Sequence, residues 1–363
     1  MKNNFMQLAL RLARRGYGAT SPNPMVGAVL VKGGKIIGRG WHRRAGLPHA
    51  EIEALRDAQK HGHSPRGAAL YVTLEPCCTH GRTPPCTEAI IAAGIKRVII
   101  GTTDPNPKHA GKSFKILRRA KIEVVHGIWA DECMKLNEAF NHWIIHRTPF
   151  VTVKAAMTLD GKIATAGGES KWITGEKARA HGMKLREGSD AILVGINTIL
   201  TDNPSLTART KMATPIRSIV LDSMARTPLT AKVVRDGFAA LTTIVVSKRA
   251  PKRRVAVLAK RVNVIIAPAS NSKLDLGWLL KKLASENVAS LLVEGGGEVN
   301  ASFLLGGFAQ RIAFFYAPKI LGGRDARKGV AGEGAKKLSG VIQLRDVEWR
   351  KQGEDLLLTA RVD

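Results

Sequence analysis

The chain has 363 residues, 44% hydrophobic and 24% charged, a composition that supports more than one hydrophobic core and excludes an extended disordered or fibrous protein. Lys and Arg number 57 against 29 Asp and Glu, and the formal charge of +28 attracts anions, whether phosphorylated substrates or nucleic acid. No apolar run approaches the roughly 20 residues of a membrane span, and the N-terminus lacks both a long apolar core and a small-residue cleavage site, so the expectation is a cytoplasmic protein with no membrane partner.

In chain order, KNNFMQLALRLARR has helical spacing, MVGAVLV and KIIGRGWH read as strands, HAEIEALRDAQK as a helix, AALYVTLEP as a strand, TEAIIAAG as a helix and RVIIGTTD as a strand. GKSFKILRRA adds a helix, IEVVHG a short strand, and DECMKLNEAFNHWIIH one further helix. This alternation predicts an α/β sandwich around a single sheet over residues 1–146. The run His146-Arg147-Thr148-Pro149 breaks the pattern and marks a junction, so the second domain is expected to span residues 150–363.

The second half opens with PFVTVKAAMTLDGKIA, and DAILVGINTIL, RSIVLDS, LTTIVVS and NVIIAP each read as a short apolar strand. GEKARAHGMKLREG and LGWLLKKLASENV read as helices, and SLLVEGGG as a strand running into glycines. RIAFFYAPKILGG, VIQLRDVEWRK and EDLLLTARV read as antiparallel closing strands, giving a mixed sheet with helices on both faces.

The basic residues are spread over RLARR, HRR, KILRRAK and KRAPKRR without interleaved aromatics. The expectation is a generally basic surface, with nucleic acid not a partner.

Three of the four cysteines, Cys77, Cys78 and Cys86, fall within ten residues, which suggests metal ligation; Cys133 reads as a buried apolar residue. His49-Ala50-Glu51 upstream supplies an imidazole and a carboxylate. His49, Cys77 and Cys86 would provide three Zn2+ ligands and leave a fourth position for water, with Glu51 free to move protons. His49 follows Pro48 and Cys86 follows Pro84-Pro85, each at a predicted helix start, where the dipole favours a thiolate on Cys86.

The run TLEPCCTHGRTPPC, with SPNPMVGAVLV and HAE upstream, resembles the deaminase domain of the bifunctional riboflavin-biosynthesis deaminase/reductases. Eight residues separate Cys77 from Cys86, longer than the Pro-Cys-x-x-Cys spacing of cytidine and tRNA adenosine deaminases. Cys78 stands where that family commonly has serine. The resemblance implies a cytidine-deaminase-like α/β/α sandwich, with Asn23 and His42 holding the pyrimidine and ribosyl parts, and Arg82 the phosphate, of a phosphorylated pyrimidine substrate.

In the second half, Gly295-Gly296-Gly297 is a lone glycine cluster with no GxGxxG spacing, so the residues by themselves leave a tight turn and a pyrophosphate cradle open. VKAAMTLDGKIATAGGESKWIT, LREGSDAILVGINTILTDNPSLTAR and LLVEGGGEVNASFL resemble the reductase domain of the same family, in order. The resemblance implies a dihydrofolate-reductase-like α/β fold. It assigns NADPH to Ala156, Trp172, Thr198, Asp202, Ser223 and a turn made of Gly296, Gly297, Glu298, Val299, Asn300, Ala301 and Ser302. It assigns substrate to Lys154, Ser170, Arg186, Leu206, Arg209 and Glu294.

Lys154, Asp202 and Glu294 are the catalytic candidates there, and Arg186 and Arg209 could clamp a phosphate with forked hydrogen bonds. A homo-oligomer is the expected form. The alternatives are a tRNA or nucleoside deaminase with an accessory domain, and a basic nucleic-acid-binding protein with structural zinc. The first leaves the second half unexplained, and the second would call for four protein ligands with no Glu51 beside them.

Overall fold

A computed structural model of the chain describes residues 2–80, 84–107, 109–208, 215–270 and 273–362. It divides into two compact units, Met1–Arg147 and Thr148–Asp363. Among the described residues no helix is long and apolar enough to cross a membrane.

The first unit runs α1 (Lys2–Ala13), β1 (Gly27–Lys32), β2 (Lys35–Trp41), α2 (Ala50–Lys60), β3 (Ala69–Leu74), α3 (Cys86–Ala92), β4 (Arg97–Thr102), α4 (Lys112–Arg119), β5 (Glu123–His126), α5 (Ala130–Leu136) and α6 (Glu138–His146). Its sheet has the order β2-β1-β3-β4-β5. β1 is antiparallel to both neighbours, and β3, β4 and β5 are parallel. Because strand side chains alternate, Leu30, Leu70, Val98 and Ile100 bury one face with residues of α2, α3 and α4. Val29, Val31, Tyr71 and Ile99 bury the other with α1 and Cys133. Each fully buried Leu or Ile contributes about 1.5–3 kcal/mol, so the two apolar faces account for the sandwich.

Glycines in β2 bring α2 onto the sheet. A Cβ at Gly40 would strike the Ala50 carbonyl, and one at Gly38 the Ala54 carbonyl. This contact fixes the first turn of α2, which carries His49 and Glu51.

The single helix expected over DECMKLNEAFNHWIIH is two helices. Asn137, only 3% exposed, sits between α5 and α6 at φ −114°, ψ 23°. Its Oδ1 accepts from Met25 N–H at 2.8 Å and its Nδ2 donates to the Met25 carbonyl at 2.9 Å. Two tertiary hydrogen bonds thus override the local helical pattern and tie α6 to the SPNPM segment.

The second unit runs β6 (Phe150–Thr158), β7 (Lys162–Ala164), α7 (Glu176–Glu187), β8 (Ala191–Gly195), α8 (Ile196–Asp202), β9 (Arg217–Leu221), α9 (Lys232–Arg235), β10 (Thr242–Ser247), α10 (Lys252–Ala259), β11 (Asn263–Ala267), β12 (Ala269–Ser270) and β13 (Lys273–Leu274). It continues with α11 (Leu276–Ser285), β14 (Ser290–Val293), α12 (Gly297–Leu304), β15 (Arg311–Ala317), β16 (Arg327–Lys328), β17 (Leu344–Gln352) and β18 (Asp355–Val362). The nine-stranded sheet has the order β11-β10-β9-β8-β14-β6-β15-β18-β17. Its strands are parallel from β11 to β15, with β18 and β17 closing it antiparallel. α11 and α12 cover one face, while α8 to α10 and α7 cover two parts of the other.

Three expectations change here. INTIL of DAILVGINTIL is not strand: β8 ends at Gly195 and the chain turns directly into α8, whose Ile196 and Ile199 bury the sheet face. RIAFFYA pairs in parallel with β6 and antiparallel only with β18. The segment Gly296 to Ser302 is not a turn but the start of α12, and α10 was also unforeseen. Short amphipathic helices of this kind carry too few turns for periodicity to separate them from strands.

Candidate active sites

In the first unit, His49 caps α2 in extended backbone (φ −74°, ψ 166°), Cys77 follows β3, and Cys86 opens α3 after Pro85. The fixed φ of Pro85 suits a helix entry. His49 Nδ1 lies 3.3 Å from Cys86 Sγ and 3.5 Å from Cys77 Sγ. The three donor atoms fall within 4.8 Å of one another, the one such group among the described residues. An imidazole and two sulfurs converging on a point make a donor set that fits zinc.

The start of α3, which Cys86 opens, also acts on Cys77. Cys86 N–H, at the start of α3, donates to Cys77 Sγ at 3.3 Å. The Cys86 thiol, and then His49, hydrogen-bond to Cys77 and bring its thiol down to about 4, whereas the bond to Cys77 pushes Cys86 up. His49 is raised, chiefly by its bond to Cys77. Cys78 turns away from this group, its Sγ 3.9 Å from His109 Nδ1, and burial pushes its thiol up. Cys133 is fully buried in the α1 face of the core.

Glu51 lies on the first turn of α2, 3% exposed, outside the donor set. Burial first, then the neighbouring Cys77 charge, pushes its carboxyl up to about 7, where it both takes and gives protons near neutral pH. Asn23, His42, His49, Glu51 and Cys77 line one cavity of about 270 Å3. His42 Nδ1 faces the Pro48 carbonyl at 3.1 Å, which fixes the proton there, and so Nε2 accepts from Asn23 Nδ2 at 3.1 Å. Burial lowers His42, keeping it neutral.

Sequence reasoning missed the remaining walls: Phe140, Trp143 and Ile144 of α6, and Glu75, Asp104, Asn106 and His109. Glu75 accepts from Asp104 N–H, Gly111 N–H, Ser113 N–H and Ser113 Oγ at 2.8–3.1 Å, and so shapes the loop that carries Asp104, Asn106 and His109. A buried Glu before Pro76-Cys77 was the available signal. Arg82 lies outside the described residues.

In the second unit a cavity of about 900 Å3 opens at the C-terminal ends of the neighbouring strands β8 and β14, where parallel sheets present their loops to ligands. Ser170, Thr198, Asp202, Glu294, Gly296, Gly297, Glu298 and Val299 line it. Gly297 admits the Lys328 carbonyl where a Cβ would sit, while Gly296 has open space beside it. The first turn of the eight-residue α12 therefore faces the cavity with free N–H groups of the kind that hold phosphate. Arg324, Arg327 and Lys328, also unforeseen, line the same cavity.

Glu294 is the centre of a charged cluster. Arg186 grips it with both arms of its fork, Nε to Oε1 at 3.0 Å and Nη2 to Oε2 at 2.8 Å, and Lys154 Nζ lies 3.9 Å from Oε2. Burial would raise the carboxyl, but the Lys154 and Arg186 charges prevail and hold it down to about 2. The expected phosphate clamp is thus not what Arg186 shows: its fork is engaged by Glu294, and its Nη1 by the Thr207 carbonyl at 3.2 Å.

A carboxylate with a depressed pKa stabilises the fold above its unfolded value of about 4.3, and that contribution fades as pH falls towards 2. Glu294→Gln, which strands Arg186, should cost about 3–5 kcal/mol near neutral pH, with the gap to wild type narrowing towards about pH 3. Calorimetry of both proteins across that range reads the effect, and a gap independent of pH counts against it.

The other expected cofactor and substrate residues are dispersed. Trp172 is 65% exposed, with the Arg179 guanidinium 4.8 Å from its ring centre, so it is no core residue. Asp202, which lines the cavity, also pairs with Lys171 at 3.6 Å. Ala156 packs towards α7, and Leu206 is buried in the α8 to α10 core, so its side chain does not reach the cavity. Ser223 is exposed just beyond β9, and Asn300 and Ala301 are buried, with Asn300 Nδ2 bonded to the Gly329 carbonyl at 2.8 Å. Ser302 Oγ donates to the Glu298 carbonyl within α12. Arg209 lies outside the described residues.

Residues 1–102 match the cytidine and deoxycytidylate deaminase zinc-binding region, and residues 149–358 the RibD C-terminal domain. The riboflavin biosynthesis protein RibD of Actinobacillus pleuropneumoniae is 43% identical over 98% of this chain and 94% of its own length. That of Aquifex aeolicus is 44% identical over 98% and 97%. Among solved structures, Acinetobacter baumannii RibD superposes with a TM-score of 0.88 at 35% identity, covering 99% of this chain and 98% of that one. A diaminohydroxyphosphoribosylaminopyrimidine deaminase/5-amino-6-(5-phosphoribosylamino)uracil reductase from Thermotoga maritima does so with 0.85 at 37% identity and the same coverage.

Proposed function

The chain belongs to the RibD family, in which a zinc-binding deaminase domain is joined to a reductase domain of dihydrofolate-reductase-like fold for riboflavin biosynthesis, and from that premise we propose how its own residues divide the work. The first cavity deaminates 2,5-diamino-6-(5-phosphoribosylamino)pyrimidin-4-one, and the second reduces the resulting 5-amino-6-(5-phosphoribosylamino)uracil with NADPH. The observation that carries this reading is the pairing of a His-Cys-Cys donor set with a buried carboxyl, Glu51, on the wall of the same cavity.

His49, Cys77 and Cys86 would hold the zinc, which when bound lowers the pKa of water and supplies a nucleophile at neutral pH. Glu51 receives the proton that this water gives up, and returns protons to the ring nitrogen and to the departing amino group, which leaves as ammonia. Asn23 and the neutral His42 orient the pyrimidine and ribosyl parts, and the apolar wall from α6 packs against the ring. Arg82 is assigned to the substrate phosphate.

In the second unit the first turn of α12, with Ala156, Trp172, Thr198, Asp202 and Ser223, would hold NADPH, which when bound would supply the hydride. Arg324, Arg327 and Lys328 give the basic lining that suits the extra phosphate of NADPH. The ribosylamine opens to its imine, hydride adds at C1, and a proton goes to the nitrogen. Lys154 and Asp202 orient the opened sugar and move protons, while Arg186 keeps Glu294 ionised and in place. Ser170, Leu206 through its backbone, and Arg209 contact the substrate.

The protein is read as a cytoplasmic homo-oligomer. β17, the outer strand, is exposed along almost its whole length, with Trp349 at 57%, and such an edge is one that proteins cover.

Given the diaminopyrimidine phosphate, the purified protein should release ammonia and oxidise NADPH in equal amounts, with NADH a poor substitute. Ammonia release without NADPH oxidation would leave the reductase half of this reading without support, and preference for NADH would overturn its cofactor.

A further inference from the structure

Apart from the two sites, the first unit carries a groove of about 570 Å3 along the open edge of β2, with α1 on one side and α2 on the other. Its size falls in the range of small-molecule sites. Five cationic side chains, Arg15, Arg39, Arg43, Arg56 and Lys60, line it against two acidic ones, Glu53 and Asp57.

The acidic residues are already engaged. Glu53 pairs with Arg43 at 3.1 Å and Arg56 at 3.5 Å, and Asp57 accepts from Arg39 N–H at 2.8 Å and meets His61 at 3.5 Å. Among the described residues, the Arg15 and Arg39 guanidiniums and the Lys60 ammonium have no acidic partner. Like charges in one cleft repel, so this arrangement costs stability unless an anion enters.

The groove is more than a charged surface. Trp41 lines it, with the Arg15 and Arg43 guanidiniums over its ring at 5.0 and 4.6 Å. The ring thus restrains the Arg15 guanidinium, whose donors have no acidic partner among the described residues and suit a phosphate. Leu8 and Leu12 of α1 add an apolar wall. None of these residues lines the deaminase or the reductase cavity.

We propose that this groove binds a nucleotide phosphate, with the phosphates on Arg15, Arg39 and Lys60 and the apolar part against Leu8 and Leu12. The same chemistry is offered by a free nucleotide and by a unit of single-stranded RNA.

The test titrates zinc-loaded, full-length protein with ADP, with a single-stranded oligoadenylate and with inorganic pyrophosphate. Wild type is compared with Arg39→Glu/Lys60→Glu and with Lys60→Glu alone. Any ADP taken up by the reductase cavity is common to all three proteins and cancels. Hydrogen bonds to charged groups are strong enough that the double variant should bind ADP more than about tenfold more weakly. Zinc content and both activities should be unchanged, and binding should weaken with salt. A larger loss for oligoadenylate than for ADP identifies the polymer as the occupant, and the reverse identifies the free nucleotide. Equal ADP affinity in all three proteins overturns the site, and pyrophosphate binding as tightly as ADP overturns the apolar contact. Lys60 is exposed on the last turn of α2, so its single substitution keeps the test decisive if the double variant fails to fold. Loss of NADPH use by wild type would bear on the reductase reading and leave this comparison intact.

Discussion

Glu51→Gln should keep its zinc and lose deaminase activity by at least about 10²–10⁴-fold, the range ordinarily supplied by general acid-base catalysis. Several proton transfers pass through this one carboxyl, so the loss should fall at the upper end. Glutamine has nearly the same shape and loses only the capacity to take up and release a proton, and Glu51 is not one of the three converging donors. The variant should therefore fold and bind metal normally. Because Glu294 and its cavity belong to the second unit, the same preparation should still oxidise NADPH when given the already deaminated substrate. Zinc content, ammonia release and NADPH oxidation measured together decide the point. Near-normal ammonia release from zinc-replete protein would remove Glu51 from the mechanism.

Cys77→Ser and Cys86→Ser should each abolish stoichiometric zinc binding, and with it essentially all deamination, whereas Cys78→Ser should retain about one zinc per chain. Three donors and a water complete a tetrahedral site, and serine is a poor ligand for zinc beside a thiolate. Cys78 was the one neighbour able to compete, and its sulfur faces His109 instead. Metal analysis of the three purified variants tests this. Loss of zinc in Cys78→Ser with retention in Cys77→Ser would shift the ligand by one residue.

Much of this protein is legible in its amino-acid sequence. The His49-Ala50-Glu51 and Pro76-Cys77 pattern is chemistry written in adjacent residues, and two helix starts preceded by proline place the donors without knowledge of the fold. The apolar strands of both sheets are readable for a related reason, since period-two and continuous apolar runs report burial directly.

What the sequence left open depended on partners distant along the chain. The break at Asn137 exists because Met25 lies opposite it, more than a hundred residues away in sequence. The wall of Phe140, Trp143 and Ile144 follows from that break. Arg186 reads from sequence as a free fork, and only the approach of Glu294, 108 residues on, shows that the fork is engaged. The N–H at the start of α3 likewise points at the sulfur of Cys77, nine residues back in the chain, and not at that of Cys86 itself. Ligand identity and strand pattern are properties of residue type and spacing, which the sequence holds. Charge state and side-chain direction are properties of what packs around a group, and those are decided by the tertiary structure alone.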